Sequence, residues 1–324
     1  MIFENMKAVA YLDLLGFSNA VLRNAEEALA MLNSYNSILH FGIVESELHP
    51  SSGYPPELQK LAKRSSTESF KDFLPFSDSI FITSDDCSDF LLQLGEFLYR
   101  SFHLTARFYA NPENEQDPIE THSIGVGDDG KGGMTVVETP CRIPPALFRG
   151  GMAFGEVNPV KPAALIDGKR TEGYILVGDA VVKAVGMEKA VKGPRIVFGQ
   201  DVFEQLNEEA RLYTRSLPED SNLFELLWPG MPYILENPMQ NEFGHFCDIF
   251  TPVYNLWSYY KNDRVVSVQY ERFIELVVSS ALRLYSHVGM RDFALEQIGK
   301  VIDGKFSGAE MTKIFGYLNV FGRN

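Results

Sequence analysis

Two hydrophobic periods organise the first third of the chain. Ala8-Val-Ala-Tyr-Leu-Asp-Leu-Leu-Gly-Phe17 is a run of apolar strand formers broken by one carboxylate and closed by a glycine, and it predicts a strand over Lys7–Asp13. From Asn19 to Ile43 the period changes: Val21, Leu22, Ala25, Leu29, Leu32, Tyr35, Ile38 and Leu39 recur at helical spacing and predict an amphipathic helix on a sheet. His49–Ser69, with Pro50, Pro55, Pro56 and several serines, reads as a loop. Phe70–Phe76 and Ser79–Thr83 are strand-like and separated by Ser77-Asp78, which predicts a hairpin with Asp78 at its tip. Asp85, Asp86 and Ser88 are N-cap candidates for a second helix whose apolar face is Phe90, Leu91, Leu94, Phe97, Leu98 and Phe102.

Regularity then lapses. Residues near 105–148 carry scattered prolines and a glycine cluster from Gly125 to Gly133, and read as an insertion. Strand patterns return at Gly150–Val157, Tyr174–Val177 and Arg195–Phe198, with a helix over Ala180–Val191. Strands alternating with helices, but with one tight hairpin, predict a three-layer or split α/β sandwich over a uniform doubly wound sheet. After about Arg211, Pro218, Pro229, Pro232, Pro238 and Pro252 punctuate short aromatic stretches, and helices follow. Tyr270, Phe273, Ile274, Val277, Ala281, Leu284 and Tyr285 form one stripe, and Ser307 with Glu310 forms a capping box before Met311, Ile314, Phe315 and Leu318. The expected organisation is a catalytic domain over 1–205 and a helix-rich C-terminal extension over 206–324, packing on the core or on a dimer.

Composition narrows the function classes. With 324 residues, 45% hydrophobic and 22% charged, the chain is globular and can bury a sizeable core. A net charge of −14 argues against a nucleic-acid partner, whose phosphates require clustered Lys and Arg. Cys87, Cys141 and Cys247 form no CxxC pair, so neither disulfides nor a structural zinc is expected, and the compartment reads as reducing and cytoplasmic. No run approaches the ~18 apolar residues of a membrane span.

Asp13 is the first chemically informative residue. An ionised carboxylate beside a buried strand is costly unless a cation or hydrogen-bond donors compensate it, so Asp13 belongs at the strand's mouth, as a metal ligand or as a cap for the next helix. Asp78, in Phe76-Ser-Asp-Ser-Ile-Phe-Ile82, is a second such carboxylate. Two aspartates on adjacent strand ends suit Mg²⁺, which takes one or two carboxylates and keeps waters and substrate phosphates; two independent turn residues are the other reading. Gly125-Val-Gly-Asp-Asp-Gly-Lys-Gly132 fits GxGxxG and half of a P-loop, but β-like residues follow it, Gly132 stands where Ser or Thr should be, and Asp128 and Asp129 repel phosphate. There is no HExxH and no GxSxG.

Four ordered motifs resemble the class III nucleotidyl cyclase family. Tyr11-Leu-Asp-Leu-Leu-Gly-Phe17 is similar to its first metal strand and phosphate turn, and Phe76-Ser-Asp-Ser79 to the hairpin with the second metal aspartate. Arg149-Gly-Gly-Met-Ala-Phe-Gly-Glu156 resembles R-x-G-I-x-x-G, and Tyr174-Ile-Leu-Val-Gly-Asp-Ala-Val-Val-Lys-Ala184 with Met187-Glu188 resembles Y-D-x-x-G-D-x-V-N-x-A-x-R-M-E. The resemblance implies a ferredoxin-like α+β cyclase sandwich and a homodimer with composite sites. It also implies two Mg²⁺ or Mn²⁺ ions on Asp13, Asp78 and the Leu14 backbone, with phosphate held by Leu14, Leu15, Gly16 and Phe17. Arg170 matches a phosphate-binding arginine of some members, or is a surface arginine. The positions that read a purine are Leu74 and Ile175, and those of the transition-state asparagine and arginine are Val182 and Gly186, leaving Lys183, Lys189 or Arg149 as substitute cations. This pattern looks like the pyrimidine cyclases of bacterial Pycsar anti-phage defence. It implies conversion of UTP, favoured over CTP, to a 3′,5′-cyclic nucleotide that acts on a separate effector. A catalytically inactive nucleotide-binding or interaction protein on a degenerate cyclase fold is the alternative.

Overall fold

The computed structural model describes residues 5–23, 25–106, 120–128, 134–142, 145–166, 169–232 and 243–316. The tip of the glycine cluster at 129–133, Asp167, Gly168, Pro238 and Leu318 lie outside them.

The opening strand β1 (Met6–Leu14) is followed by α1 (Phe17–Arg23), α2 (Ala25–Leu48) and α3 (Pro56–Arg64). The hairpin β2 (Asp72–Phe76) and β3 (Ser79–Ser84) leads into α4 (Cys87–Ala106). Next come β4 (Glu120–Asp128), β5 (Met134–Arg142), β6 (Phe148–Glu156), β7 (Asn158–Val160), β8 (Ala163–Ile166), β9 (Lys169–Glu172) and β10 (Ile175–Val177). Then follow α5 (Asp179–Glu188), β11 (Ile196–Phe198), α6 (Gln200–Phe203), α7 (Glu208–Leu212), β12 (Thr214–Leu217) and β13 (Asp220–Leu226). The described residues end with α8 (Phe243–Tyr260), α9 (Arg264–His287), α10 (Arg291–Ile302) and α11 (Gly308–Phe315).

The main sheet has the order β12-β13-β11-β6-β1-β3-β2 and is antiparallel except where β11 runs parallel to β6. This is the α+β class that the resemblance implies. On β1, Ala8, Ala10, Leu12 and Leu14 face the large core, packed with α2, α4 and the C-terminal helices, whereas Val9 and Tyr11 face a smaller cluster with Ala153, Ala180 and Ala184. Period-2 alternation therefore gives β1 two apolar faces, and the second is only partly covered, by α5.

Three expectations change. His49–Ser69 contains α3 rather than a plain loop: Pro56 sits at the first helical turn, Glu57 follows, and Lys63 and Arg64 close it, a charge order that suits the helix dipole. The irregular insertion holds a nine-pair hairpin, β4 with β5, and Gly125 and Gly127 lie on its first strand, which rules out the strand–turn–helix context of a dinucleotide fingerprint. Pro252 lies inside α8 instead of ending an element.

The sheet also continues past residue 205, because β12 and β13 add to its edge. That edge is fastened to α9 by buried charges. Glu225 accepts from Arg195 Nε at 2.5 Å and from Arg215 Nε at 2.6 Å, and Arg215 also reaches Glu275 at 2.7 Å and Ser279 at 2.5 Å. Trp228 Nε1 donates to the Pro194 carbonyl at 2.8 Å.

Candidate active site

Strand register assembles the site. Asp13 pairs with Ser79 of β3 and with Arg149 of β6, and Ser79 pairs with Phe76 of β2, so these four side chains form one row on the partly covered face. The next row is Leu74, Phe81, Tyr11 and Gly151. Asp78 occupies the hairpin tip beside Ser77, whose φ is 58°, and its carbonyl accepts the Leu14 N–H at 3.0 Å. Backbone pairing thus brings the two sequence-predicted aspartates to the same strand end.

Their electrostatics are poorly balanced. Ser79 Oγ donates to Asp13 Oδ1 at 3.3 Å, and Tyr11 Oη lies 2.9 Å from Ser79 Oγ. A hydroxyl has one hydrogen, so when Ser79 donates to Asp13, Tyr11 must donate to Ser79. Arg149 Nη2 is 3.8 Å from Asp13 Oδ2 and ion-pairs with Glu188, the buried last residue of α5. Partial burial pushes the Asp13 carboxyl above the usual carboxylate range, and the charges of Asp78 and Glu188 add to this against the Ser79 hydrogen bond and Arg149. Tyr11 is likewise pushed up, by burial first.

Helix α5 reaches this face because Gly151 has no side chain: a Cβ there would lie 2.2 Å from the Ala184 carbonyl oxygen. Of the substitute cations, Arg149 is the one that lies beside Asp13. Lys183 is tied to Asp179 at 2.7 Å, and Lys189 lies just beyond α5. Val182, on the same helix, is 73% exposed.

After Leu14 the chain turns through Gly16, whose φ of +87° favours glycine, and the Gly16 carbonyl accepts the Ala20 N–H at 3.0 Å as α1 begins at Phe17. Leu15 N–H donates to the Leu147 carbonyl at 2.8 Å, so it would have to leave that bond to meet a phosphate. Leu15 and Gly16 also border a cavity of about 210 Å³ that Tyr260 and Tyr270 of the C-terminal helices close from the other side. Arg170 lies on the β8–β9 hairpin, where its register partner is Leu165. Leu74 is half-buried opposite Phe81, and Ile175 is exposed on β10 opposite Val160.

The donor set is hard oxygen. Among the described residues no group of three or more His, Cys, Asp or Glu converges on one ion. Asp13 and Asp78 therefore do not form a closed protein cage; they fit a Mg²⁺-like ion that keeps water and substrate oxygens. Sequence reasoning missed Tyr11, Ser79 and Glu188 as members of this cluster. Period 2 from Asp13 points to Tyr11, whereas Glu188 is brought in only by the fold.

No family profile matches the chain, and no curated protein matches it. Among solved structures it is similar to the guanylate cyclase domain of RhGC from Catenaria anguillulae in complex with GTP, at 14% identity and TM-score 0.39 over 68% of this chain and 96% of that one. It is also similar to a bacterial light-regulated adenylyl cyclase, at 13% identity and TM-score 0.38 over 76% and 98%. A third is the adenylyl cyclase CyaB from P. aeruginosa, at 11% identity and TM-score 0.34 over 68% and 93%. These structural neighbours are class III nucleotidyl cyclase domains.

Proposed function

We propose that the chain is a metal-dependent nucleotidyl cyclase that converts a pyrimidine nucleoside triphosphate, UTP favoured over CTP, to a 3′,5′-cyclic nucleotide and pyrophosphate. The observation that carries this reading is the convergence of Asp13 and Asp78 at one strand end, with Arg149 as the cation beside them. Asp13 and Asp78, with the Leu14 backbone, would hold divalent ions, whose chemistry is to acidify the ribose 3′-hydroxyl and neutralise the leaving pyrophosphate. Gly16 and Phe17 open the turn toward the phosphates, with Leu15 joining if it leaves Leu147, and Arg170 is the proposed further phosphate contact. Arg149 supplies positive charge where negative charge builds on the α-phosphate.

Pyrimidine use is supported by what Leu74 and Ile175 lack. A Leu–Ile pair offers neither the donor nor the acceptor that selects a purine edge. Phe76, in the same row as Asp13, and Val182 on α5 are exposed apolar residues on this face and support a homodimer across it. In this reading the cyclic nucleotide is an anti-phage messenger for a separate effector. A second reading, an inactive nucleotide-binding protein on a cyclase fold, is favoured by Val182 and Gly186, which carry no group able to stabilise a phosphorane.

Incubation with each of the four NTPs and Mn²⁺, followed by mass spectrometry, tests both. Cyclic UMP or cyclic CMP with pyrophosphate is expected. Cyclic AMP or cyclic GMP as main product would overturn the pyrimidine assignment. Nucleotide-induced thermal stabilisation with no cyclic product would establish the inactive reading.

A further inference from the structure

We propose that Glu188 is a positioning residue for cation binding: it holds the Arg149 guanidinium back from Asp13, so that the oxygens of Asp13 and Asp78 stay open to a divalent ion. This rests on the reading of Asp13 and Asp78 as metal ligands.

Arg149 stands between two carboxylates. It makes close contact with Glu188 and a looser one, 3.8 Å, with Asp13. Glu188 is buried, and a buried carboxylate requires a cation; among the described residues its recorded ion-pair partner is Arg149. Helix α5 packs closely on the sheet, its backbone at Ala184 against Gly151, and so holds the buried Glu188 beside Arg149. The guanidinium is held at one nitrogen: Arg149 Nε is buried without a hydrogen bond, and both contacts run through Nη2. Contact through one nitrogen lets the group pivot, unlike a two-point fork on a carboxylate.

The consequence is a competition. With Glu188 charged, Arg149 relieves part of the repulsion between Asp13 and Asp78 without occupying their oxygens. With Glu188 neutralised, the nearest anion for the guanidinium is Asp13, and an arginine seated there displaces a divalent ion by like-charge repulsion.

Mn²⁺ titration of the whole protein, followed by electron paramagnetic resonance without nucleotide, tests this independently of turnover. Wild type should bind Mn²⁺, and Asp13→Asn should lose that binding. Glu188→Gln should weaken it about ten-fold, and Arg149→Gln should tighten it. The double variant should return to wild-type affinity or better, which a merely structural ion pair would not do. Unchanged affinity in Glu188→Gln, or no recovery in the double variant, overturns the proposal. If Glu188→Gln does not fold, Arg149→Gln decides: unchanged or weaker Mn²⁺ binding overturns it. Wild type that binds no Mn²⁺ overturns both this role and the metal reading beneath it.

Discussion

Two charged clusters lie on the same sheet and obey opposite rules. At the β12–β13 edge, Arg195, Arg215 and Arg272 meet Glu219, Glu225 and Glu275, three cations against three anions. At the β1 end, Asp13 and Glu188 share Arg149, and the charge of Asp78 acts on Asp13. The first cluster is balanced around a buried centre of Arg195, Glu225 and Glu275, as a structural ion network must be to offset desolvation. Among the described residues, the second cluster carries more negative than positive charge. Under the proposed function, that imbalance is where a divalent ion would bind.

The comparison breaks first at catalysis. Asp13→Ala and Asp78→Ala should each lower cyclic-nucleotide formation by about a thousand-fold or more in product assays, without lowering the melting temperature of the metal-free protein. Glu225→Ala should do the reverse, costing about 3–5 kcal/mol in urea unfolding because Arg195 and Arg215 lose the buried carboxylate they share. An Asp13 variant that unfolds, or a Glu225 variant that does not lose stability, would erase the distinction.

The pH response sharpens it. Asp13 keeps its proton to higher pH when folded than when unfolded, so its contribution to stability is greatest in acid and falls as pH rises through its raised folded value. Glu225 has the opposite sign. Burial alone would raise its carboxyl, but Arg215 and Arg195 outweigh burial and hold it below the usual range, so its contribution is present above the unfolded value and is lost as pH falls. Urea unfolding of metal-free protein between about pH 4 and 7 should show Asp13→Asn gaining stability over wild type toward the neutral end. The smallest effect is expected at Gly16→Ala. A Cβ there meets nothing within 4 Å, so the +87° backbone angle alone sets the cost, about 1 kcal/mol in thermal unfolding.

Much of the first cluster's counterpart at β1 was legible in the sequence, and the balanced network was not. Asp13 and Asp78 stand out because each interrupts an apolar strand run, and a two-residue hairpin fixes Asp78 beside the strand end. Glu188 lies 39 residues beyond Arg149 in sequence and meets it because Gly151 admits α5, a close approach that no period reveals. The β12–β13 hairpin was masked for a similar reason. Its charged residues, Arg215 and Glu225, break the apolar alternation that marks a strand, and they are tolerated because they pair with each other and with α9. Pro56 misled in the other direction: proline reads as loop punctuation, yet at the first turn of α3 its missing N–H costs nothing.

A crystal of the protein grown with Mn²⁺ and a non-cyclisable UTP analogue, measured at the manganese edge, tests the central claim most directly. Anomalous density is expected against the carboxylates of Asp13 and Asp78, with the triphosphate at the Gly16 turn. Manganese absent from this strand end, or bound elsewhere while Asp13 remains paired with Arg149, would contradict it.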